Sequence, residues 1–299
     1  MRLHLVDATY ELFRAHYAPR PPVLGRDDIN LSGVAGLIDQ LAYLLREEGA
    51  THVGCATDHV IESFRNDIYP GYKSSAGMPP ELLAQFPIAE DAIRAFGVVL
   101  WPMVEFEADD AIAAACVRFA EDSEVEQVLV CTPDKDMAQL VRDARIVLLD
   151  RRRRITYDEP AVMAKWGVPP TAIPDWLALV GDSSDGFPGL PGWGAKSAAA
   201  VLARYGSLEA IPPKASAWDV KSLRGAPILA RTLRDRWDEV QLYRSLARLR
   251  TSEDGVEIPE KTVDELRWRG TPRAAWEAFC DRWGLDGRRS RPHRWLDQV

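Results

Sequence analysis

The chain has 299 residues, 46% of them hydrophobic, enough to bury one large core or two ordinary ones and too many for a disordered polymer. Its 45 acids against 37 bases give a net charge of −8, which excludes the simplest nucleic-acid signature, a globally basic protein. No run approaches the roughly 18 unbroken apolar residues of a membrane span, and Asp7 interrupts the first apolar stretch too early for a signal-peptide core.

In chain order, short apolar runs predict strands over Arg2–Val6, His52–Thr57, Val98–Leu100, Gln127–Thr132 and Arg145–Leu149. Between them Leu31–Glu48, Glu81–Phe96 and Asp109–Ala120 carry apolar residues at helical spacing. Strands alternating with helices imply an α/β fold with a mostly parallel sheet. From about Val168 the strand signals fade, and helices are predicted over Ile173–Val180, Lys196–Tyr205, Ile228–Leu249 and Pro272–Trp283. The four cysteines (Cys55, Cys116, Cys131, Cys280) form no CxxC pair, so no disulfide framework or zinc ribbon is expected and a reduced, cytoplasmic setting is the default. The five histidines are unpaired in sequence, so a metal site here would use oxygen ligands.

Ligands of an open parallel sheet bind outside the carboxyl ends of its strands. Asp7 closes the first predicted strand and Asp58 the second, while Asp134 and Asp136 follow the strand that ends at Thr132. Glu107, Asp109 and Asp110 stand where a helix starts, and Asp182 and Asp185 lie in GDSSDGFPG. Taken singly, each is an ordinary turn or cap residue. Three strand ends delivering acids to one edge point instead to carboxylates gathered around hard divalent cations, Mg²⁺ or Mn²⁺. Two such ions suit in-line phosphoryl transfer and require no Cys or His nucleophile. With nine acids assigned to metal, the remaining acids and bases nearly balance, so the net charge is no objection to a nucleic-acid substrate.

VDATYELFRAHYA, FRNDIYPGYKS, EADDAIAA, CTPDKDMAQL and GDSSDGFPGLPGWGAKSAAAVLARYGSLEAI occur in an order that resembles the bacterial and phage 5′–3′ exonuclease/flap endonuclease family, including the N-terminal nuclease domain of DNA polymerase I. The resemblance implies a PIN-like (resolvase-like) catalytic domain over 1–167, a helix–three-turn–helix DNA-binding domain over 168–260, and a helical, basic tail over 261–299. No polymerase domain follows, so a stand-alone, monomeric form is expected. One metal site would use Asp7, Asp58, Glu107, Asp109 and Asp110, and the second Asp134, Asp136, Asp182 and Asp185. Arg65 and Lys73 match basic residues that relatives place against the scissile phosphate, where a cation offsets developing charge. Tyr72 matches a position that can stack on a terminal base, with a core role as the alternative. Arg14 matches an arginine near the first aspartate, with a helix-surface charge as the alternative.

GLPGWGAKS imitates a phosphate loop, but Ala195 separates the glycine from Lys196, so no nucleotide cofactor is expected. Two helices joined by a glycine turn fit better, with Gly192 and Gly194 admitting a DNA phosphate and the helix start at Lys196 and Ser197 binding it without reading sequence. Relatives hold a monovalent cation, often K⁺, in this hairpin. Departures from the family pattern are Ala8, Pro133 and Trp193, together with a segment after Lys73, SSAGMPPELLAQFPIAE, that lacks the basic residues of the arch relatives form there. Two arginine-rich stretches, Arg151–Arg154 and Arg288, Arg289, Arg291 and Arg294, read as tracks for duplex phosphates or as solvated faces. The expected activity is metal-dependent hydrolysis of DNA at 5′ ends or flaps. The rivals are a PIN-like ribonuclease, which would lack the GDSSD hairpin, and a DNA-binding protein with vestigial catalysis, which would not keep nine acids.

Overall fold

The computed structural model describes residues 1–221 and 223–296, so the last three positions of the expected tail, 261–299, lie outside the described residues. In chain order the first half holds β1 (Arg2–Asp7), α1 (Ala8–His16), α2 (Ser32–Arg46), β2 (His52–Asp58), α3 (Phe64–Ile68), α4 (Pro80–Leu83), α5 (Gln85–Phe96), β3 (Val99–Met103), α6 (Ala108–Phe119) and β4 (Gln127–Cys131). The second half holds β5 (Ile146–Asp150), β6 (Ile155–Tyr157), α7 (Glu159–Trp166), α8 (Ile173–Val180), α9 (Ala195–Tyr205), α10 (Ala226–Asp235), α11 (Trp237–Ala247) and α12 (Arg273–Trp283). These elements form two compact units, and each is discontinuous in sequence. Met1–Ser63, Ser74–Thr132 and Arg250–Val299 make the first, Phe64–Lys73 and Pro133–Leu249 the second.

The first unit is built on parallel strands in the order β3-β2-β1-β4. Leu3, Leu5 and Val6 of β1 are fully buried and all of β2 is buried, as expected for strands covered on both faces. The register pairs Asp7 with Ala56, Val6 with Cys131 and Asp58 with Met103, so the carboxyl ends of the four strands share one edge. Helix α6 packs against β1, β2 and β3, and α5 against β2 and β3. The C-terminal segment belongs to this unit. Helix α12 packs on α5, with Trp276 edge-on to Phe96, and Trp268 donates its indole N–H to the Phe96 carbonyl at 3.0 Å.

The second unit contains the antiparallel pair β5–β6 and a helical body in which α8 packs against both α9 and α11. Three of its features differ from the sequence expectation. The helix expected over Ile228–Leu249 is broken at Arg236, whose φ of −121° and ψ of 34° leave the helical region, giving α10 and α11. Strand β6 and helix α7 were unforeseen: three residues make too short an apolar signal, and α7 is set by its ends, with Asp158 accepting from Ala161 N at 3.0 Å and Gly167 closing it at φ 77°. Among the described residues no helix is long and apolar enough to cross a membrane.

Candidate metal centre

In the first unit the acids at the strand ends are each engaged by neutral donors. Asp7 Oδ1 accepts from Tyr10 N at 2.8 Å, capping α1, and its Oδ2 accepts from Thr132 Oγ1 at 3.0 Å. Asp58 Oδ1 accepts from Ala108 N at 2.7 Å, while its own N–H donates to Thr9 Oγ1 at 2.9 Å. Ser63 Oγ donates to Glu107 Oε1 at 2.7 Å. Asp110 is fully buried, with Oδ2 accepting from Glu107 N at 3.0 Å and Oδ1 from Arg250 N at 2.8 Å. Asp109, beside it at the helix start, is half-buried. Glu90, buried on α5, accepts from Thr57 Oγ1 and faces His59 Nδ1, both at 3.0 Å, and so holds the two neighbours of Asp58.

In the second unit Asp136, Asp182 and Asp185 each offer a carboxylate oxygen within 4.8 Å of the others, the one such three-acid group among the described residues. Burial, with the charges of Asp134, Asp185 and Asp182, pushes the Asp136 carboxyl well above the usual carboxylate range. Its Oδ1 is buried with no hydrogen-bond partner. Two ammonium groups offset the cluster: Lys135 Nζ lies 2.5 Å from Asp182 Oδ2, and Lys73 Nζ 3.3 Å from Asp185 Oδ1. Burial works to lower the Lys135 pKa, but the bond to Asp182 and the charges of Asp136 and Asp134 outweigh it and raise it. Asp134 is exposed and accepts from Asp136 N at 3.1 Å. Lys135 was missed as a site residue, although its place between two acids in PDKD was the available signal.

The acid loop is fixed to Phe64–Lys73. Lys73 N donates to the Asp185 carbonyl at 2.9 Å, and Gly186, at φ 86°, sits so close that a Cβ there would meet the Gly71 carbonyl oxygen at 2.3 Å. Lys73 is therefore at Asp185. Arg65 is 1% exposed, and its side chain donates to the carbonyls of Leu246 at 2.8 Å and Arg248 at 3.2 Å, clamping the end of α11. Tyr72 is 5% exposed with the Lys73 ammonium 5.6 Å from its ring centre, so its ring packs inside the unit and offers no face for a base. Arg14 is paired with Glu11 at 3.0 Å.

Between α8 and α9 the chain turns through Gly192, at φ 85°, and Gly194, which is extended. Gly192, Gly194, Lys196, Ser197, Lys221 and Arg224 line an open groove of about 690 Å³. A Cβ on Gly194 would meet nothing within 4 Å, so the protein itself does not require glycine there. The Ser197 hydroxyl accepts from Gly194 N at 3.0 Å and donates to Gly194 O at 2.9 Å. Its proton is spent on the helix start, which leaves backbone amides as the donors there.

Carboxylate oxygens, one of them buried and unpartnered, with no histidine or cysteine ligand in the group, fit hard divalent cations. Such a centre belongs to the metal-dependent hydrolases of phosphate esters. Residues 2–167 match the family described as 5′-3′ exonuclease, N-terminal resolvase-like domain, and residues 168–273 match 5′-3′ exonuclease, C-terminal SAM fold. The chain belongs to the 5′-3′ exonuclease family. It is 35% identical over 257 residues to DNA polymerase I of Rhizobium leguminosarum, covering 83% of this chain but 24% of that protein. The chain thus spans about a quarter of the length of the polymerase relatives it matches first. The 5′-3′ exonuclease of Aquifex aeolicus is 29% identical over 262 residues, covering 87% of this chain and 86% of that one. In fold the chain is similar to the bacteriophage T5 D15 flap endonuclease, crystallised with DNA and metal ions, with a TM-score of 0.64, 19% identity, and coverage of 83% of this chain and 89% of that one.

Proposed function

We propose that this protein is a 5′-3′ exonuclease/flap endonuclease that hydrolyses DNA phosphodiesters at 5′ ends or flaps. The observation that carries the reading is the Asp136–Asp182–Asp185 group, whose buried carboxylates have two lysine ammoniums against them and one oxygen without a partner. Bound there and at the acids of the first unit, two divalent cations, Mg²⁺ or Mn²⁺, would supply Lewis-acid activation of water and stabilise the leaving oxygen. In the second unit Asp136, Asp182 and Asp185 act as ligands, with Asp134 beside them. In the first unit Asp7, Asp58, Glu107, Asp109 and Asp110 fill that role. Lys73, whose ammonium lies 3.3 Å from Asp185 Oδ1, would offset charge on the phosphate. The reading takes residues 1–167 as the catalytic domain, completed by Asp182 and Asp185, and 168–260 as the DNA-binding domain.

Gly192, Gly194 and Lys196 hold a backbone phosphate in the groove at the start of α9, and K⁺ is proposed for the same hairpin, where turn carbonyls are the available donors. One chain contributes both acidic groups, so a monomer suffices. A DNA substrate puts the working compartment at the chromosome, in the cytoplasm. The experiment is direct: purified protein, with Mg²⁺ or with excess EDTA, is given a 5′-flap duplex, a blunt duplex and a structured RNA of matched length. Products from the 5′ side of DNA, abolished by EDTA, are expected. Equal cleavage in EDTA, release only from 3′ ends, or a preference for RNA would overturn the reading.

A further inference from the structure

Beyond the nine acids, four carboxylate residues among the described residues are buried: Glu11, Glu90, Asp150 and Asp175. Three of them serve their own surroundings. Glu11 faces Arg14 one turn along α1, Asp150 accepts from Arg153 N in the turn after β5, and Asp175 accepts from Leu208 N at 2.9 Å. Glu90 differs. It is 2% exposed on the face of α5 that carries Phe86, Ala89 and Ile93, a position where an apolar residue would serve the packing.

Its carboxylate bonds the two residues that flank Asp58. Oε1 accepts from Thr57 Oγ1 at 3.0 Å, and His59 Nδ1 lies 3.0 Å from Oε1 and 3.1 Å from Oε2. Successive residues of a strand face opposite ways. Asp58 therefore turns from Glu90 toward the start of α6, where its Oδ1 accepts from Ala108 N at 2.7 Å. The Asp58 N–H donates to Thr9 Oγ1 at 2.9 Å, and Val60 N donates to the Met103 carbonyl at 3.2 Å. The end of β2 is thus gripped from both faces. Arg94, one turn along α5, approaches Glu90 Oε2 at 3.4 Å and offsets the buried charge.

The sheet itself holds Asp58 only in part. The ladder to β1 stops at Ala56, and the ladder to β3 stops at Met103, opposite Asp58, so Asp58 sits where pairing runs out. A carboxylate there keeps a fixed orientation only if the chain on either side of it is held. A ligand that wanders by about an ångström binds its cation less tightly.

We propose that Glu90 is a positioning residue for the metal site of the first unit, holding Thr57 and His59 so that the Asp58 carboxylate meets a divalent cation in one orientation. An apolar side chain at the same place would pack α5 on β2 without desolvating a charge, and would leave the strand end unheld. Glu90 acts through Asp58 and not as a ligand. The proposal rests on the reading that the acids of the first unit bind metal.

The test is Mn²⁺ binding by the whole chain, read from the loss of the free-ion EPR signal, in an Asp182→Asn/Asp185→Asn background whose second group lacks two of its three carboxylates. Into that background go Glu90→Gln, Thr57→Val, the pair Thr57→Val/Glu90→Leu, and Asp91→Asn as an exposed neighbour on α5. Outer partners of a ligand set contribute about 10–100-fold in metal affinity, so the pair should weaken Mn²⁺ binding at least about 10-fold. Apolar groups of similar shape replace both members of a buried bond in that pair, so its metal-free melting temperature should stay within about 4 °C of the background. Thr57→Val removes one grip and should cost about 3-fold, which keeps the test decisive if the pair fails to fold. Glu90→Gln retains an acceptor oxygen for Thr57 and His59 and should recover most of the affinity. Asp91→Asn should change nothing. Unchanged affinity in Thr57→Val and the pair, or a loss in Glu90→Gln as large as in the pair, would overturn the positioning role and leave the metal reading intact. A background protein that binds no Mn²⁺ would overturn both.

Discussion

The two acidic groups of this protein hold their carboxylates in opposite ways. In the first unit Asp7, Asp58, Glu107 and Asp110 accept from backbone amides and from the hydroxyls of Thr132 and Ser63, so neutral donors fix their positions whether or not a cation is bound. In the second unit Asp136, Asp182 and Asp185 crowd together, and the ammoniums of Lys135 and Lys73 balance their mutual repulsion. Hydrogen bonds from neutral donors position one group, and ammonium ions offset the crowding of the other. The same substitution, Asp to Asn, should therefore have different consequences in the two units.

The largest effect should come from Asp185→Asn, which removes a charged member of the second group. Single-turnover cleavage in Mg²⁺ is expected to fall by about 100-fold or more, the scale of several kcal/mol of lost transition-state stabilisation. A wild-type rate from a folded variant would remove this group from the centre. Asp110→Asn should act on stability. Both of its carboxylate oxygens accept from backbone N–H groups, and an amide nitrogen cannot, so denaturant unfolding should show a loss of about 1–3 kcal/mol. Lys73→Ala follows, with a drop of about 10-fold in single-turnover rate at saturating DNA and little change in affinity; a change in affinity alone would place Lys73 away from the reacting phosphate.

Asp136→Asn should have the reverse sign to Asp110→Asn in metal-free protein. The folded state keeps the Asp136 proton to higher pH than the unfolded chain, so stability without metal should fall as pH rises from the ordinary carboxylate range toward the raised Asp136 value. Melting curves against pH in EDTA should show that fall in the wild type and flatten it in Asp136→Asn, which should melt higher at neutral pH. A lower melting temperature for the variant would mean that Asp136 is not under the repulsion described. The smallest effect is expected from Gly194→Val. A side chain there meets no protein atom within 4 Å, so stability should hold while DNA affinity in Ca²⁺ weakens a few-fold, about 1 kcal/mol.

Much of this arrangement is legible in the sequence. Parallel strands buried on both faces are near-continuous apolar runs, and an acid closing such a run is visible by inspection, as with Asp7 and Asp58. What pairing alone cannot reveal is burial. Arg65 and Lys73 stand eight positions apart in one motif, yet Arg65 is used inside the unit to bond the carbonyls of Leu246 and Arg248, residues far along the chain. Tyr72 was ambiguous for the same reason. The break at Arg236 carries no glycine or proline signal in the sequence.

The discontinuity of the two units sets an order of events during synthesis. Phe64–Lys73 leaves the ribosome long before Asp182–Gly186, against which it closes, and the first unit gains Arg250–Val299 only after the whole of the second has been made. Contacts this distant in sequence form slowly and late. The Asp185–Lys73 pairing thus cannot form until synthesis has passed Asp185. The acidic cluster is withheld, by the path of the chain alone, until its last member has been synthesised.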